Sequence, residues 1–385
     1  MLNFRNFFRH RQNGSRNGGL VFSRPLVLLQ SDDWGRIGVR DRQGFELLCS
    51  SGLALGENPY DLYTLETAED VAVLCGMLRR HRDSTGRSPC LVTNFILANL
   101  DFQKMAADDF QNIYLLPLAE GLPGAWHRPG LFEAYRQAIA EGSFYPGLHG
   151  LTHFCQASVQ QILANAGARA AQLRTLWQAE TPYIYWRMPW VGYEYCKPEN
   201  PHKGFLNAEQ HLTLVQRAAE LFTTLFALPP VSACAPGYRA NRDTRLAWRQ
   251  CGVKVMQNGP GTSPLPYLDD QGLLTLCRSL DFEPAYAEPS LPANMRLADE
   301  SFARGAPLVI SVHSINFHST VKNFRDPTVD ALDRFLSALE ARYPDLLYVH
   351  DGDLYDLVTN GKLMASQASV SVTVSRPAMA RAREN

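Results

Sequence analysis

The sequence predicts an α/β fold, a distorted (β/α) barrel of seven or eight strands. Three observations lead there. Apolar runs of strand length alternate with segments of helical length, with some irregularity, seven or eight times along the 385 residues. The first run, PLVLLQSDDWG from Pro25 to Gly35, is apolar without alternation, as in a parallel strand covered on both faces. No glycine-rich phosphate loop follows it, which weakens the main rival, a doubly wound open sheet that binds a nucleotide.

After the first strand, Thr67 to Arg82 reads as a helix, with Thr67 as N-cap, acids in the first turn and bases in the last. Pro89 to Leu97 is the second strand. Leu131 to Glu141 is a helix stopped by Gly142, and the strand Phe144 to Leu148 leads into His149-Gly-Leu-Thr-His153. Val159 to Glu180 reads as one helix. Residues 183–206 break the alternation and read as an aromatic insertion, since Tyr183 to Tyr195 holds six aromatics and a proline. A helix over Ala208 to Phe226, a strand over Val231 to Ala235, a helix through Trp248 and a strand over Val253 to Gln257 follow. Leu273 to Cys277 comes after a hairpin-like excursion, then the strand Pro307 to His313, the helix Pro327 to Ala341, the strand Leu346 to Val349 and a closing helix from Asp351. The organisation expected is a basic N-terminal extension (1–24), one barrel (25–360) and a disordered tail (361–385) poor in large apolar residues.

Composition narrows the partners. A formal net charge of −1 gives no field that would draw the whole molecule to nucleic acid or an anionic surface. Eight scattered cysteines without a CxxC pair suit free thiols packed as small hydrophobes in a reducing compartment. The basic N-terminus lacks the continuous apolar stretch of a signal peptide, and no run reaches transmembrane length. Phe4, Phe7 and Phe8 among arginines could touch a membrane surface, a frayed tail being the plainer account. The expectation is a cytoplasmic protein, at most peripheral to a membrane.

Chemistry concentrates at strand ends. Asp32 and Asp33 are neighbours where the first strand stops, so one can face a metal and the other a substrate. His149 and His153 stand at i, i+4, a spacing that on a helical turn puts both imidazoles on one face. Two imidazoles and a carboxylate form a ligand set for catalytic zinc, with Co²⁺, Ni²⁺ or Mn²⁺ as alternatives. His313 ends the buried run PLVISVH and would reach the same rim.

The order Asp-Asp, HxxxH, Pro-Gly after a later strand and a strand-terminal His resembles the NodB-homology polysaccharide deacetylases, carbohydrate esterase family four, from about Leu26 to Leu357. The resemblance implies a distorted barrel and a divalent metal, usually zinc, that drives removal of acetyl groups from sugars. It implies Asp32 as catalytic base, Asp33, His149 and His153 as metal ligands, and His313 as general acid. Three departures stand out. Trp34 occupies a place where the family has glycine, and the usual fourth motif is replaced by Gln257 to Gly261. Cys234 stands where the family has the arginine that steadies the base, so Arg239 or Arg187 would supply that charge from elsewhere. Pro236 and Gly237 match, with the Gly237 amide a candidate oxyanion donor beside Tyr238.

Other residues keep two readings. His318 is an alternative acid, a substrate contact or a loop residue. Tyr183, Tyr185, Trp186, Trp190, Tyr193 and Tyr195 suit stacking on sugar rings or ordinary packing. Asn316 and Asn241 are candidate partners for hydroxyls. The function expected is a metal-dependent carbohydrate deacetylase acting on an N-acetylated sugar. Glycoside cleavage by paired carboxylates and metal-retaining carbohydrate binding without catalysis are the alternatives.

Overall fold

The computed structural model describes residues 19–259, 263, 265–361, 363 and 371–376. Its core is a parallel sheet whose strands follow chain order: β1 (Leu26–Trp34), β2 (Leu91–Phe95), β3 (Phe144–Leu148), β4 (Ser232–Cys234), β5 (Val255–Asn258), β6 (Leu274–Cys277), β7 (Leu280–Asp281), β8 (Leu308–His313) and β9 (Leu347–Tyr348). Each of β1 to β5 pairs in parallel with the next. At the other edge β7 pairs with β8, and β8 pairs with β1.

Closure comes from one kinked run. β6 lies against β5 and β7 lies against β8, yet only Arg278 and Ser279 separate them. The Arg278 amide donates to Asn258 O and the Ser279 amide to Val309 O, so the joint itself bridges the two edges. The strands therefore return on themselves as a distorted barrel of seven, with β6 and β7 as one broken member and β9 pairing only with the start of β1. The expected fold class is borne out.

Strand alternation sorts the interior into layers. Leu26 and Leu28 of β1 pack with Val255, Leu274, Leu276, Val309 and Leu354 in one core. Val27 and Leu29 belong to the larger core shared with the surrounding helices. Above the inner apolar layer the same strand faces carry polar groups, Gln30, Asn94, Ser232, Gln257 and Ser311, joined by Asp351 at the start of the helix Asp351–Asn360, and all are buried. A barrel interior is usually filled with branched aliphatic side chains. Here the layer below the rim is a hydrogen-bonded network, and that network positions the site.

Several expectations shift. The helix expected from Val159 to Glu180 is two, Gln156–Ala164 and Ala168–Gln178, because Ala166 turns left-handed at φ 46° ahead of Gly167. The stretch 183–206 contains a short turn at Pro189–Val191 and a hairpin of Cys196–Lys197 with Asn200–Phe205. The excursion before β6 contains the strand Tyr267–Leu268, which pairs antiparallel with β6 as a hairpin. Within the stretch expected to be disordered, Val374–Ser375 pairs with Val21–Phe22; residues 362, 364–370 and 377–385 of that tail lie outside the described residues, as do 1–18 of the N-terminal extension. Among the described residues no helix is long and apolar enough to cross a membrane.

Gly147 of β3 sits at the tightest point of the polar layer, where an added Cβ would run into Asn94 Oδ1 and Ser232 Oγ. Gly147→Ala is therefore expected to cost about 1–3 kcal/mol through overpacking. Urea unfolding measures it, and a loss too small to detect would mean the layer has slack.

Candidate active site

Asp32 and Asp33 part company through the backbone. Asp32 stays in register, opposite His313 of β8, and points into the barrel. Asp33 adopts φ 74°, a left-handed conformation that Asp tolerates better than most residues. Its carbonyl accepts a hydrogen bond from the Tyr63 hydroxyl at 2.7 Å, which holds the turn. One carboxylate thus serves the barrel interior and the other faces the loop after β3.

That loop carries the histidines. His149 follows β3 directly, and its amide donates to Phe95 O at 2.9 Å. The segment from His149 to His153 is a loop and not the helical turn the spacing suggested, with Gly150 at φ 106°. The rings still meet, with centroids 5.5 Å apart. Asp33 Oδ1 lies 3.6 Å from His149 Nε2 and 3.5 Å from His153 Nε2.

This cluster fits a metal ion. The three ligand atoms lie within 4.8 Å of one another, and Asp33 Oδ1 is buried without a hydrogen-bond partner. His149 Nδ1 donates to Cys234 O at 2.9 Å, the assignment a carbonyl partner dictates, which leaves the Nε2 lone pair facing Asp33. Burial, opposed by the Asp33 charge, pulls the His153 imidazolium down to about 3, so the ring is neutral as a ligand must be. Burial pushes the Asp33 carboxyl up, but Arg36 and the two histidines hold it well below the usual range. Arg36 Nη2 takes Asp33 Oδ2 at 3.1 Å and leaves Oδ1 for the cluster.

The loop has its own anchor, a residue the sequence reading passed over. Glu194, from the aromatic insertion, accepts from the Thr152 amide at 2.6 Å and the Leu151 amide at 3.2 Å. A Cβ on Gly150 would collide with its Oε2, so glycine there makes room for the carboxylate. Burial pushes Glu194 up to about 8 despite these donors.

Asp32 is clamped by Arg278, whose Nη1 reaches Oδ2 and whose Nη2 reaches Oδ1, each at 2.7 Å. Asn94 adds a third donor to Oδ1 at 2.8 Å. Burial raises the Asp32 carboxyl, but Arg278 and the nearby histidines win and hold it far below the usual range. The arginine that was expected from Arg239 or Arg187 comes instead from the joint between β6 and β7. Arg187 binds Asp61 at 2.7 Å and lies over Trp186, while Arg239 lies 6.0 Å from the Tyr193 ring. The signal available in the sequence was an arginine directly after the apolar run LLTLC.

His313 stands on the open side, its side chain 28 % exposed, with Nε2 3.9 Å from Asp32 Oδ2. Its Nδ1 is paired with Glu283 Oε1 at 2.6 Å. Burial works against the imidazolium, but the charge and hydrogen bond of Glu283, with Asp32 behind, push His313 up to about 9. Glu283 was missed because β7 is two residues long and gives no strand pattern in the sequence.

Other candidates find different work. Trp34 is fully buried outside the barrel against Phe95, Tyr135, Phe144 and Phe317, so it is core and not a substrate contact. His318 is fully buried, 3.3 Å from Glu66, which rules it out as the acid. Asn316 steadies Glu283, donating to Oε2 at 2.5 Å and accepting from the Ala285 amide, and it is closed to a substrate hydroxyl. Asn241 caps the helix Arg242–Gln250. Trp190 packs against the core with Arg169 over its ring at 5.4 Å. Tyr195 is buried beside Trp248 and His211. Gly237, at φ 59°, lies under the Tyr193 ring, and the Tyr238 hydroxyl accepts from Arg278 Nη1 at 2.7 Å. Tyr185 and Tyr193 stack at 4.9 Å, and each ring lies within about 6 Å of His153. Tyr183 and Tyr185 join Tyr60, Tyr63 and Arg36 around a small open cleft.

No protein-family model matches the sequence, and no curated protein matches it either. Among solved structures, the chain is similar to a probable polysaccharide deacetylase of Pseudomonas aeruginosa PAO1, at 13% identity over 87% of this chain and 91% of that one, with a TM-score of 0.46. It is similar to a PuuE allantoinase at 12% identity over 87% and 90%, TM-score 0.46. It is also similar to a CE4 family pseudoenzyme of Bacillus anthracis at 9% identity over 87% and 66%, TM-score 0.37.

Titration with zinc in a calorimeter tests the cluster. Asp33→Ala, His149→Ala and His153→Ala are each expected to abolish stoichiometric binding, while Asp32→Asn keeps it. Glu194→Ala leaves the Thr152 and Leu151 amides without their acceptor and is expected to weaken zinc about 10- to 100-fold. Zinc binding that survives loss of either histidine would place the ion elsewhere.

Proposed function

We propose that this chain is a divergent NodB-homology deacetylase, a metal-dependent hydrolase that removes an acetyl or other short acyl group from the nitrogen of an amino sugar or glycoconjugate. One juxtaposition supports the reading above others. The Asp33–His149–His153 cluster lies beside a carboxylate clamped by Arg278 and an imidazolium paired with Glu283. Acyl transfer to water calls for these parts: an electrophilic centre, a proton acceptor and a proton donor.

Asp33, His149 and His153 would hold the ion, with zinc favoured by the nitrogen and oxygen donor set. When bound, such an ion supplies Lewis acidity that polarises an acyl carbonyl and makes water nucleophilic near neutral pH. Each Asp32 oxygen takes one Arg278 prong and one weaker donor, Asn94 on Oδ1 and the Cys234 thiol on Oδ2; Oδ2, on the His313 side, is the oxygen that accepts the proton of the attacking water. His313, protonated below about pH 9, donates through Nε2 to the leaving nitrogen. Asp32 is too weak a base to keep its proton beside Arg278. Returning it across the 3.9 Å to His313 restores both groups.

The tyrosines beside His153 and around the cleft suit a sugar, with flat apolar faces and hydroxyl tips. Glycoside cleavage is the weaker reading, because Glu283 gives one oxygen to His313 and the other to Asn316. A separate attacking or protonating carboxylate opposite Asp32 is what that chemistry would need.

Acetate release from N-acetylated chitooligosaccharides by the zinc-loaded protein is the direct assay. Asp32→Asn is expected to retain zinc and lose about 10²- to 10⁴-fold in kcat. Hydrolysis at the wild-type rate would remove Asp32 from the role of base.

The acid makes a separate prediction. His313 must carry its proton to donate, so the rate falls as pH rises through its pKa. Glu283→Gln removes the partner that raises that pKa, and the alkaline limb of kcat/KM is expected to move from near pH 9 down toward about 6.5. An unmoved limb would assign the donor to another group.

A further inference from the structure

Below the rim, Arg278 makes more contacts than its clamp on Asp32. Its Nε reaches Gln30 Oε1 at 3.4 Å, its Nη2 reaches Gln257 Oε1 at 3.1 Å, and its Nη1 reaches Ser311 Oγ at 3.0 Å. The two glutamines have a second common neighbour. Gln30 Nε2 donates to Asp351 Oδ1 at 2.8 Å, and Gln257 Nε2 donates to Asp351 Oδ2 at 2.7 Å. Asp351 is fully buried and opens the helix Asp351–Asn360, which follows β9 and reaches this layer from the far end of the barrel.

Which end of each amide faces which way is fixed by chemistry. A guanidinium only donates and a carboxylate only accepts, so each glutamine must turn its oxygen to Arg278 and its nitrogen to Asp351. Two parallel amide relays thus run between the carboxylate at 351 and the guanidinium at 278. Gln257 is also cross-linked to Asn94, donating to its Oδ1 at 3.1 Å and accepting from its Nδ2 at 2.8 Å, and Asn94 is itself a donor to Asp32.

We propose that Asp351 is a positioning residue for the reaction: by orienting the amides of Gln30 and Gln257 it keeps two acceptors on Arg278, and so holds the Arg278 fork square on Asp32. Its kinetic consequence rests on the reading of Asp32 as the base, whereas the relay itself does not. An amide at 351 has one oxygen and one nitrogen. It can accept from only one glutamine, and the other must rotate and present its NH₂ to Arg278, donor against donor. The guanidinium then tilts, and Asp32 Oδ2 moves off its line to the attacking water.

Moving the carboxylate tests this directly. In Gln30→Glu/Asp351→Asn the side chain at 30 can accept from Arg278 with one oxygen and from the amide at 351 with the other. The carbonyl at 351 remains for Gln257. Every donor again has an acceptor, and the buried charge is unchanged.

In ¹⁵N-arginine-labelled, zinc-loaded protein, wild type is expected to show a slowly exchanging Arg278 Nε–H resonance, assigned by its loss in Arg278→Lys. Asp351→Asn is expected to shift it and speed its exchange, and the double variant to restore it. Kinetically, Asp351→Asn is expected to lower kcat about 10- to 100-fold with KM and zinc affinity unchanged, and the double variant to recover most of that loss. A merely structural Asp351 would lower the melting temperature and the active fraction without moving the resonance of the folded molecules. An Arg278 signal unchanged in Asp351→Asn, or unrestored in the double variant, overturns the proposal. Should Asp351→Asn fail to fold, the double variant decides alone: folded with the wild-type resonance supports the relay, and any other result overturns it. The resonance needs no turnover, so a wild-type protein that releases no acetate would sink the proposed function and leave the relay to be judged by its own signal.

Discussion

The buried ion pair between Arg278 and Asp32 is the constraint around which the rest of this barrel is arranged. Both side chains are almost wholly removed from water, and taking two such charges out of solvent costs several kcal/mol per ion unless geometry and further hydrogen bonds offset it. The two-pronged contact at 2.7 Å supplies the geometry. Gln30, Gln257, Ser311 and Tyr238 supply acceptors for the remaining guanidinium hydrogens, and Asn94 a donor for the carboxylate. The polar layer that replaces the usual aliphatic filling is thus the solvation shell of one salt bridge, built from the inward faces of five strands and a helix N-terminus.

The two acids of the first strand illustrate how a single backbone rotation divides labour. In a continuing strand Asp33 would have pointed away from the barrel axis, into the layer beneath the helices, where a carboxylate has no partner. Its left-handed turn, held by the Tyr63 hydroxyl and Arg36, brings it to the histidine loop instead. Strain of this kind persists where the surroundings over-determine it, and here a phenol, a guanidinium and two imidazoles all do so. The loop opposite is held with the same redundancy, by Glu194 from the insertion and by the β2 backbone.

Much of this was legible in the residues. The unalternating apolar run before Asp32, the HxxxH after a short strand and the histidine closing PLVISVH each mark a strand end, and strand ends of a parallel barrel share one rim. The order of strands followed from their order in the chain. What stayed hidden was hidden for physical reasons. Arg278 sits in a joint of two residues whose flanks pair with opposite edges of the sheet, a long-range circumstance with no local pattern. Glu283 follows a strand too short to show periodicity. Trp34 and His318 misled in the other direction: one follows Asp33 directly and the other lies five residues after His313, but both side chains enter the outer core. The aromatic stretch divides, since Tyr185 and Tyr193 face His153 while Tyr195 and Trp190 pack inward.

The broken strand that closes the ring carries a consequence for assembly. Its two halves dock on β5 and β8, and β8 must in turn find β1 at the opposite end of the barrel sequence. Pairings of such separation form slowly, and Asp32 on β1 gains its counter-charge only where the joint between β6 and β7 is in place. A half-wound intermediate would have to bury a lone anion, whereas the finished ring buries a neutral pair. Electrostatics therefore penalises the incomplete barrel more than the complete one, and the arginine at the seam acts as a latch that rewards only full circular closure.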